Sequence, residues 1–271
     1  MRYWILIGLA SALALGQQVE ADRVKVPFSS GQAPRSLKAK VLNGSITVKG
    51  YNGAEAIIEA RNRDGRKPSP ATSGGLRRLN VSGSGLVVEE EKNQITVSAP
   101  AFSTVDLFIQ VPVETSLKLD TTNGGNIEVE NVAGEIDVKN INGQVTVRNV
   151  SGAVVAHALN GRVLAILDRV TAGKPMSFSS LNGDIDVTLP PDVKANVKMK
   201  TDNGEIYTDF DIVLAPSNRE PVVDERAGKR GKYRVRFDRA MYGMINGGGP
   251  EFQFTTLNGK IYIRKQGSGA R

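Results

Sequence analysis

The chain has 271 residues, with 35 lysines and arginines against 28 aspartates and glutamates, a formal net charge of +7, and no cysteine. Disulfides, thiolate nucleophiles and cysteine-based zinc sites are excluded, so burial and backbone pairing must hold the fold. The cationic excess favours anionic partners such as phosphate-bearing envelope polymers or lipid headgroups, with nucleic acid the least expected, and it says nothing of fold.

Residues 1–21 read as an export signal: Arg2, an apolar run from Trp4 to Leu15, then small residues up to Ala21, ahead of polar Asp22. The apolar run is shorter than the roughly 20 residues that span a bilayer, so no membrane anchor is expected after cleavage. Without cysteine there is no site for a lipid anchor. The expected mature chain, residues 22–271, is exported: periplasmic, cell-surface or secreted. Arg2 and Glu20 offset one another, so the positive charge survives cleavage.

Residues 22–60 are expected to hold one early coil, made of Val41 to Val48 and Ala56 to Ala60, and 61–75, rich in Arg, Gly, Pro and Ser, to form a loop excursion. Strands resume at Leu86–Glu90, Gln94–Ser98 and Val105–Pro112. From Gly125 to Gly161 glycines recur every nine residues, each followed by an apolar-polar-apolar triplet. Two entries alternate: an Asn-Gly turn at Asn123, Asn142 and Asn160, and an Asn-Val-small-Gly turn at Asn131 and Asn149. The Asn-Gly series continues at Asn182, Asn203 and Asn258, with an early relative at Asn43. Alternation of this kind gives strands with one buried face, pointing Ile127, Val129, Ile136, Val138, Val145, Val147, Val154, Val163, Ile185, Val187 and Ile206 inward. Glycine is expected to supply positive φ at each corner. A second excursion, 215–232, precedes a Gly-rich stretch and a closing strand pair.

A single coil has too few apolar residues to offset the entropy of ordering its own backbone, so the units must stack. The expected fold is all-β: a single-domain β-solenoid of about 18–22-residue coils, spaced about 4.8 Å apart, with irregular N- and C-terminal capping strands.

The run Val111-Pro112-Val113-Glu114-Thr115-Ser116-Leu117-Lys118-Leu119-Asp120-Thr121-Thr122-Asn123-Gly124-Gly125, the alternating coils after it, and the closing Gly247-to-Ile261 segment carry a family resemblance. They resemble the bacterial candidate-adhesin family, a domain of unknown function of β-solenoid type, over roughly residues 36–265. The resemblance implies an exported envelope protein and brings no catalytic motif.

No catalytic, cofactor or metal site is expected. His157 is the one histidine, no Gly-x-Ser-x-Gly elbow accompanies it, and a structural role at a corner is expected. The pairs Glu128/Glu130, Glu135/Asp137 and Asp184/Asp186 place carboxylates about 6.5–7 Å apart on the outer face, at the short edge of inverting-glycosidase spacing. A solvated face is the simpler reading, with weak Ca²⁺ binding as the functional one. Tyr207 and Tyr262 share an outward slot; cross-strand packing is favoured over a sugar platform. Val155 and Leu164 break the alternation as outward apolar residues, expected to be covered by an excursion. The stretch Lys229, Arg230, Lys232, Arg234, Arg236 alternates with apolar residues and reads either as an anion-binding strand or as a charged edge that blocks aggregation. The asparagines 123, 142, 160, 182, 203 and 258 are expected to form a structural turn ladder. The functional reading is a non-enzymatic envelope binding, adhesion-like or scaffolding protein whose partner is an envelope polysaccharide, an anionic polymer or another envelope protein. A polysaccharide lyase or hydrolase on the solenoid face and an anionic-polymer binder acting through 229–236 are the alternatives.

Overall fold

The computed structural model describes residues 22–30, 34–63, 85–215, 221–223, 235–237 and 240–267. The expected leader lies outside these residues. All regular structure among them is β, in 23 strands.

The repeat folds as a flattened, two-sheet β-solenoid. In the central coils a strand in one sheet reaches the Asn-Gly corner, the chain crosses, and the next strand runs in the other sheet. The first sheet carries β10 (Ile136–Asn142), β12 (Val154–Asn160) and β14 (Met176–Asn182). The second carries β9 (Ile127–Glu130), β11 (Val145–Gly152), β13 (Val163–Val170) and β15 (Ile185–Leu189). Neighbouring coils pair in parallel and in register, Asn142 opposite Asn160 and Val145 opposite Val163. The expected inward Val and Ile side chains are buried between the sheets; Ile206, at the end of the stack, is half-buried.

Spatial order departs from chain order at both ends of the stack. The N-terminal coil, β2 (Arg35–Asn43) and β3 (Ile46–Tyr51), sits between β6–β7 (Gln94–Ser98, Val105–Pro112) and β8–β9, with β8 spanning Thr115–Asn123. The C-terminal coil, β22 (Glu251–Asn258) and β23 (Ile261–Lys265), is inserted between β14–β15 and β16–β17 (Ala195–Asn203, Ile206–Thr208). The expectation that the Asn203 coil follows the Asn182 coil is therefore corrected: Asn258 lies between them. The closing strand pair is interior to the stack and is no cap. A parallel edge accepts any strand of matching register, so sequence order does not dictate stacking order.

The stack is ended by antiparallel strands. At one end β4 (Glu55–Asn62) pairs with β7, β1 (Asp22–Pro27) with β4, and β5 (Val87–Glu91) with β6. Ala56–Ala60 thus belong to a cap and are not part of the first coil. At the other end β21 (Met241–Ile245) covers β16 and β18 (Ile212–Leu214) covers β21. The edge strand β5 ends in Glu89, Glu90 and Glu91, and β1 carries Arg23 and Lys25, charges that discourage further strand addition. A strand inside the second excursion, β19 (Pro221–Val223), pairs antiparallel with β20 (Val235–Phe237), just beyond it.

The corner glycines work differently from the expectation. Gly125, Gly143, Gly161, Gly183, Gly204 and Gly259 do not have positive φ; Gly44 does, at 130°. What requires glycine is close approach of backbones. A Cβ on Gly143 would stand 2.1 Å from the carbonyl oxygen of Gly125, one on Gly161 2.1 Å from that of Gly143, and one on Gly183 2.3 Å from that of Gly161. Left-handed backbone falls instead on asparagine at the other corner, with φ of 59° at Asn131 and 52° at Asn149.

Candidate binding surfaces around the asparagine corner

The asparagines of the Asn-Gly turns form one hydrogen-bonded ladder along the stack. Asn203 Nδ2 donates to Asn258 Oδ1 at 2.8 Å, Asn258 to Asn182 at 2.8 Å, Asn182 to Asn160 at 2.8 Å, Asn160 to Asn142 at 2.9 Å, Asn142 to Asn123 at 3.1 Å and Asn123 to Asn43 at 3.3 Å. Asn43 closes the series on the Ala101 carbonyl. Every amide points the same way, an arrangement in which each bond polarises the next.

Beneath it runs a buried polar ladder that the sequence reading missed. The residue two positions before each asparagine faces inward and donates to the corner-glycine carbonyl of the adjacent coil: Thr121 to Gly44, Asn140 to Gly125, Ser180 to Gly161, Thr256 to Gly183 and Thr201 to Gly259. Ala158 holds the equivalent place between Asn140 and Ser180 and has no donor to offer Gly143. The signal was legible, since Thr, Ser or Asn stands two residues before most of the Asn-Gly steps.

The outer faces on the two sides of this corner differ. On the β9–β11–β13–β15 sheet, two of the outward carboxylates meet cations. Glu130 pairs with Lys49 at 3.0 Å, and Asp186, only 7% exposed in its side chain, is gripped by Arg162 at 2.5 Å and Arg264 at 2.8 Å. This Arg-Asp-Arg cluster spans three coils and was not foreseen, because β23 lies beside β15 only in the folded stack. Asp184 accepts the Lys260 backbone N–H. Tyr207 and Tyr262 stack on each other, centroids 5.2 Å apart, with Arg264 over Tyr262 and Lys260 near Tyr207. The Tyr207 hydroxyl donates to Glu205; this bond and Lys260 hold the Glu205 carboxyl below its usual range. The tyrosines are cross-strand packing, and cations flank the stacked pair.

Where the corner coil gains one residue, Gly124 at φ 74°, a recess of about 300 Å³ opens, lined by Thr47, Arg63, Asn126 and Glu128. Arg63 is fixed there on Asp106 at 2.5 Å. Burial raises the Asp106 pKa, but hydrogen bonds from Ser45 and Arg63 outweigh it and leave the carboxyl below its ordinary value.

The β8–β10–β12–β14 sheet presents a different outer face. Two adjacent outward rows run across it: Lys38, Lys118, Asp137, Val155, Ser177, Gln253 and Lys198, then Lys40, Asp120, Lys139, His157, Ser179, Thr255 and Lys200. Six lysines stand against two aspartates, and Asp137 is paired with Lys118 at 3.0 Å. Lys174 pairs with Glu135 at 2.8 Å beside them. Val155 is 44% exposed and Leu164 half-buried, so Val155 is an outward contact residue that nothing described covers. His157 lies in mid-strand on this face, not at the expected corner. It bonds Ser179 at 2.7 Å through Nδ1, and burial followed by the nearby Lys139 charge pushes its pKa down.

A third row follows immediately before the ladder: Leu42, Thr122, Ile141, Leu159, Leu181, Leu257 and Asp202. Alternation turns these residues outward, and five of the seven are apolar. Leu42, Leu181 and Leu257 are 37–38% exposed. The corresponding row across the corner is polar: Ser45, Asn126, Gln144, Arg162, Asp184, Lys260 and Glu205.

Lys229, Arg230, Lys232 and Arg234 lie outside the described residues, as does the side chain of Arg236. Among the described residues no three His, Cys, Asp or Glu side chains are grouped to hold a metal, and no helix is long and apolar enough to cross a membrane.

The Toastrack DUF4097 family model matches residues 23–236. Among solved structures, a candidate cell adhesion protein from Clostridium sporogenes is 11% identical and aligns over 91% of this chain and 100% of its own, with a TM-score of 0.47. A candidate adhesin from Bacteroides fragilis is 11% identical over 92% and 98%, with a TM-score of 0.41. A search of curated proteins gave no match. Since the family model spans most of the chain, the protein belongs to the Toastrack DUF4097 family.

Proposed function

We propose that this protein is an exported, non-enzymatic component of the cell envelope or cell surface that binds or scaffolds through the broad outer faces of its solenoid. One observation carries the reading: four of the six outward carboxylates that spacing made candidates for acid-base work are held by cations, so that each of the pairs Glu128/Glu130, Glu135/Asp137 and Asp184/Asp186 has at least one member in an ion pair. Glu130, Asp137, Glu135 and Asp186 each sit in an ion pair, and Asp186 is clamped by two arginines. A glycosidase pair needs one carboxyl free to hold a proton and one free to reach water or the sugar. Asp186 in this setting is a fixed anion inside a structural cluster.

The test is incubation of the protein with peptidoglycan and with acidic exopolysaccharide, assayed for new reducing ends and for retention on the same polymers. Retention without turnover is expected. Turnover by wild type that disappears in Glu128→Gln/Glu130→Gln or Asp184→Asn/Asp186→Asn would replace this reading with a polysaccharide lyase or hydrolase.

A further inference from the structure

The row of outward leucines and one isoleucine beside the asparagine ladder lies outside the core between the sheets. Leu42, Ile141, Leu159, Leu181 and Leu257 face away from the core, yet they recur at the same position of five coils. Five strand spacings separate Leu42 from Leu257, a ridge about 24 Å long in which Thr122 is the one polar member. The solenoid turns its chain at the next residue, so the ridge runs along an edge of the molecule. Next to it lie the two rows that carry six lysines and two aspartates.

We propose that this edge docks on an anionic lipid surface, the apolar ridge seating at the headgroup boundary and the lysine rows meeting the headgroups. Two features favour lipid over other occupants. A soluble polyanion would use the lysines but would leave the leucines in water. A second copy of the chain, related by a two-fold axis, would bring two cationic faces together. Shallow apolar contact joined to flanking cations is what interfacial binding requires, and each lysine near such a surface adds to it. Long lysine stems also let the charge reach headgroups while the stem packs beside the ridge. The Asn corner completes the geometry: neutral carboxamides engaged with one another line the far side of the ridge. Asp202, the one acidic residue of the row, stands at its terminus.

The inference rests on the surface-binding reading above and names the partner of one face. The experiment is co-sedimentation with vesicles of phosphatidylethanolamine and phosphatidylglycerol, with phosphatidylcholine vesicles as control. Leu159→Ser/Leu181→Ser, Lys40→Glu/Lys139→Glu and, from the far end of the ridge, Leu257→Ser are compared with wild type. Any contribution from residues 1–21 is common to all of these proteins, and thermal melts check that the outward substitutions leave the fold intact. Wild type is expected to partition onto the anionic vesicles in a salt-sensitive way, with each double variant binding about tenfold more weakly. Three results would overturn the proposal: no partition by wild type, leucine variants that bind like wild type (which would assign the face to a soluble polyanion), or a leucine-dependent dimer in sedimentation velocity without vesicle binding. Glycan turnover would remove the non-enzymatic reading and leave the vesicle result standing, whereas absent partition without turnover removes only the lipid assignment.

Discussion

The solenoid turns at two corners, and they use asparagine for different purposes. At the Asn-Gly corner, asparagine links coils through its side chain and glycine lets the backbones of successive coils touch. At the Asn-Val-small-Gly corner, Asn131 and Asn149 take up left-handed backbone themselves, and Val132 and Val150 fill the space beneath. The first corner persists through seven coils, from Asn43 to Asn258, while the second occurs twice before giving way to other connections at 171–175 and 190–194. Glycine meets a neighbouring coil at both corners, Gly152 on the Gly134 carbonyl as well as Gly161 on that of Gly143, so the difference lies in asparagine. An asparagine that only shapes its own turn can be exchanged for another connection, whereas one whose side chain bonds to the coils on either side is kept in every coil.

The largest expected effect tests the interlock. Gly161→Ala drives a Cβ to 2.1 Å from the Gly143 carbonyl oxygen, with backbone on both sides of the clash. Denaturant unfolding should show a loss of about 3 kcal/mol or more. A change under about 1 kcal/mol would mean that the corner relaxes and that close approach is not what keeps glycine there.

Asn→Gly at each corner separates the two roles. In Asn149→Gly the left-handed φ of 52° suits glycine, and stability should stay within about 0.5 kcal/mol of wild type. Asn160→Gly removes the bond that Asn160 donates to Asn142 and the one that it accepts from Asn182, and should cost about 1–2 kcal/mol. Equal costs in thermal melts would erase the distinction. One change should be a gain: Ala158→Ser supplies the missing donor to the Gly143 carbonyl, as Ser180 does for Gly161, and should raise stability by about 0.5–1.5 kcal/mol. A lowered melting temperature would show that the interior at Ala158 has no room for a hydroxyl.

Much of the central stack was legible. The nine-residue glycine spacing, the alternating triplets and the repeated asparagines gave the two-strand coil, its inward Val and Ile, and the shared corner, because each is a local pattern that parallel stacking repeats. The ridge was legible too, since Leu or Ile precedes Asn-Gly at 42, 141, 159, 181 and 257, and alternation continues through that residue. The role of glycine was misjudged because φ is a property of one residue, whereas the approach of Gly143 to Gly125 needs two coils in place. The Arg162-Asp186-Arg264 cluster joins residues up to 102 positions apart in sequence, and no periodicity points to it.

By itself, the sequence determined the coil: where each strand ends, which side chains face inward, and which residue types stand at the corner. These follow from alternation and turn chemistry acting over a few residues. Only the tertiary structure decided which coils are neighbours, placing the last coil of the chain between two earlier ones and the first between β6–β7 and β8–β9. Parallel edges of the same repeat are nearly interchangeable in backbone geometry, so their order rests on long-range complementarity of side chains such as Asp186 with Arg264. The same ordering aligned the leucines and lysines of distant coils into one edge.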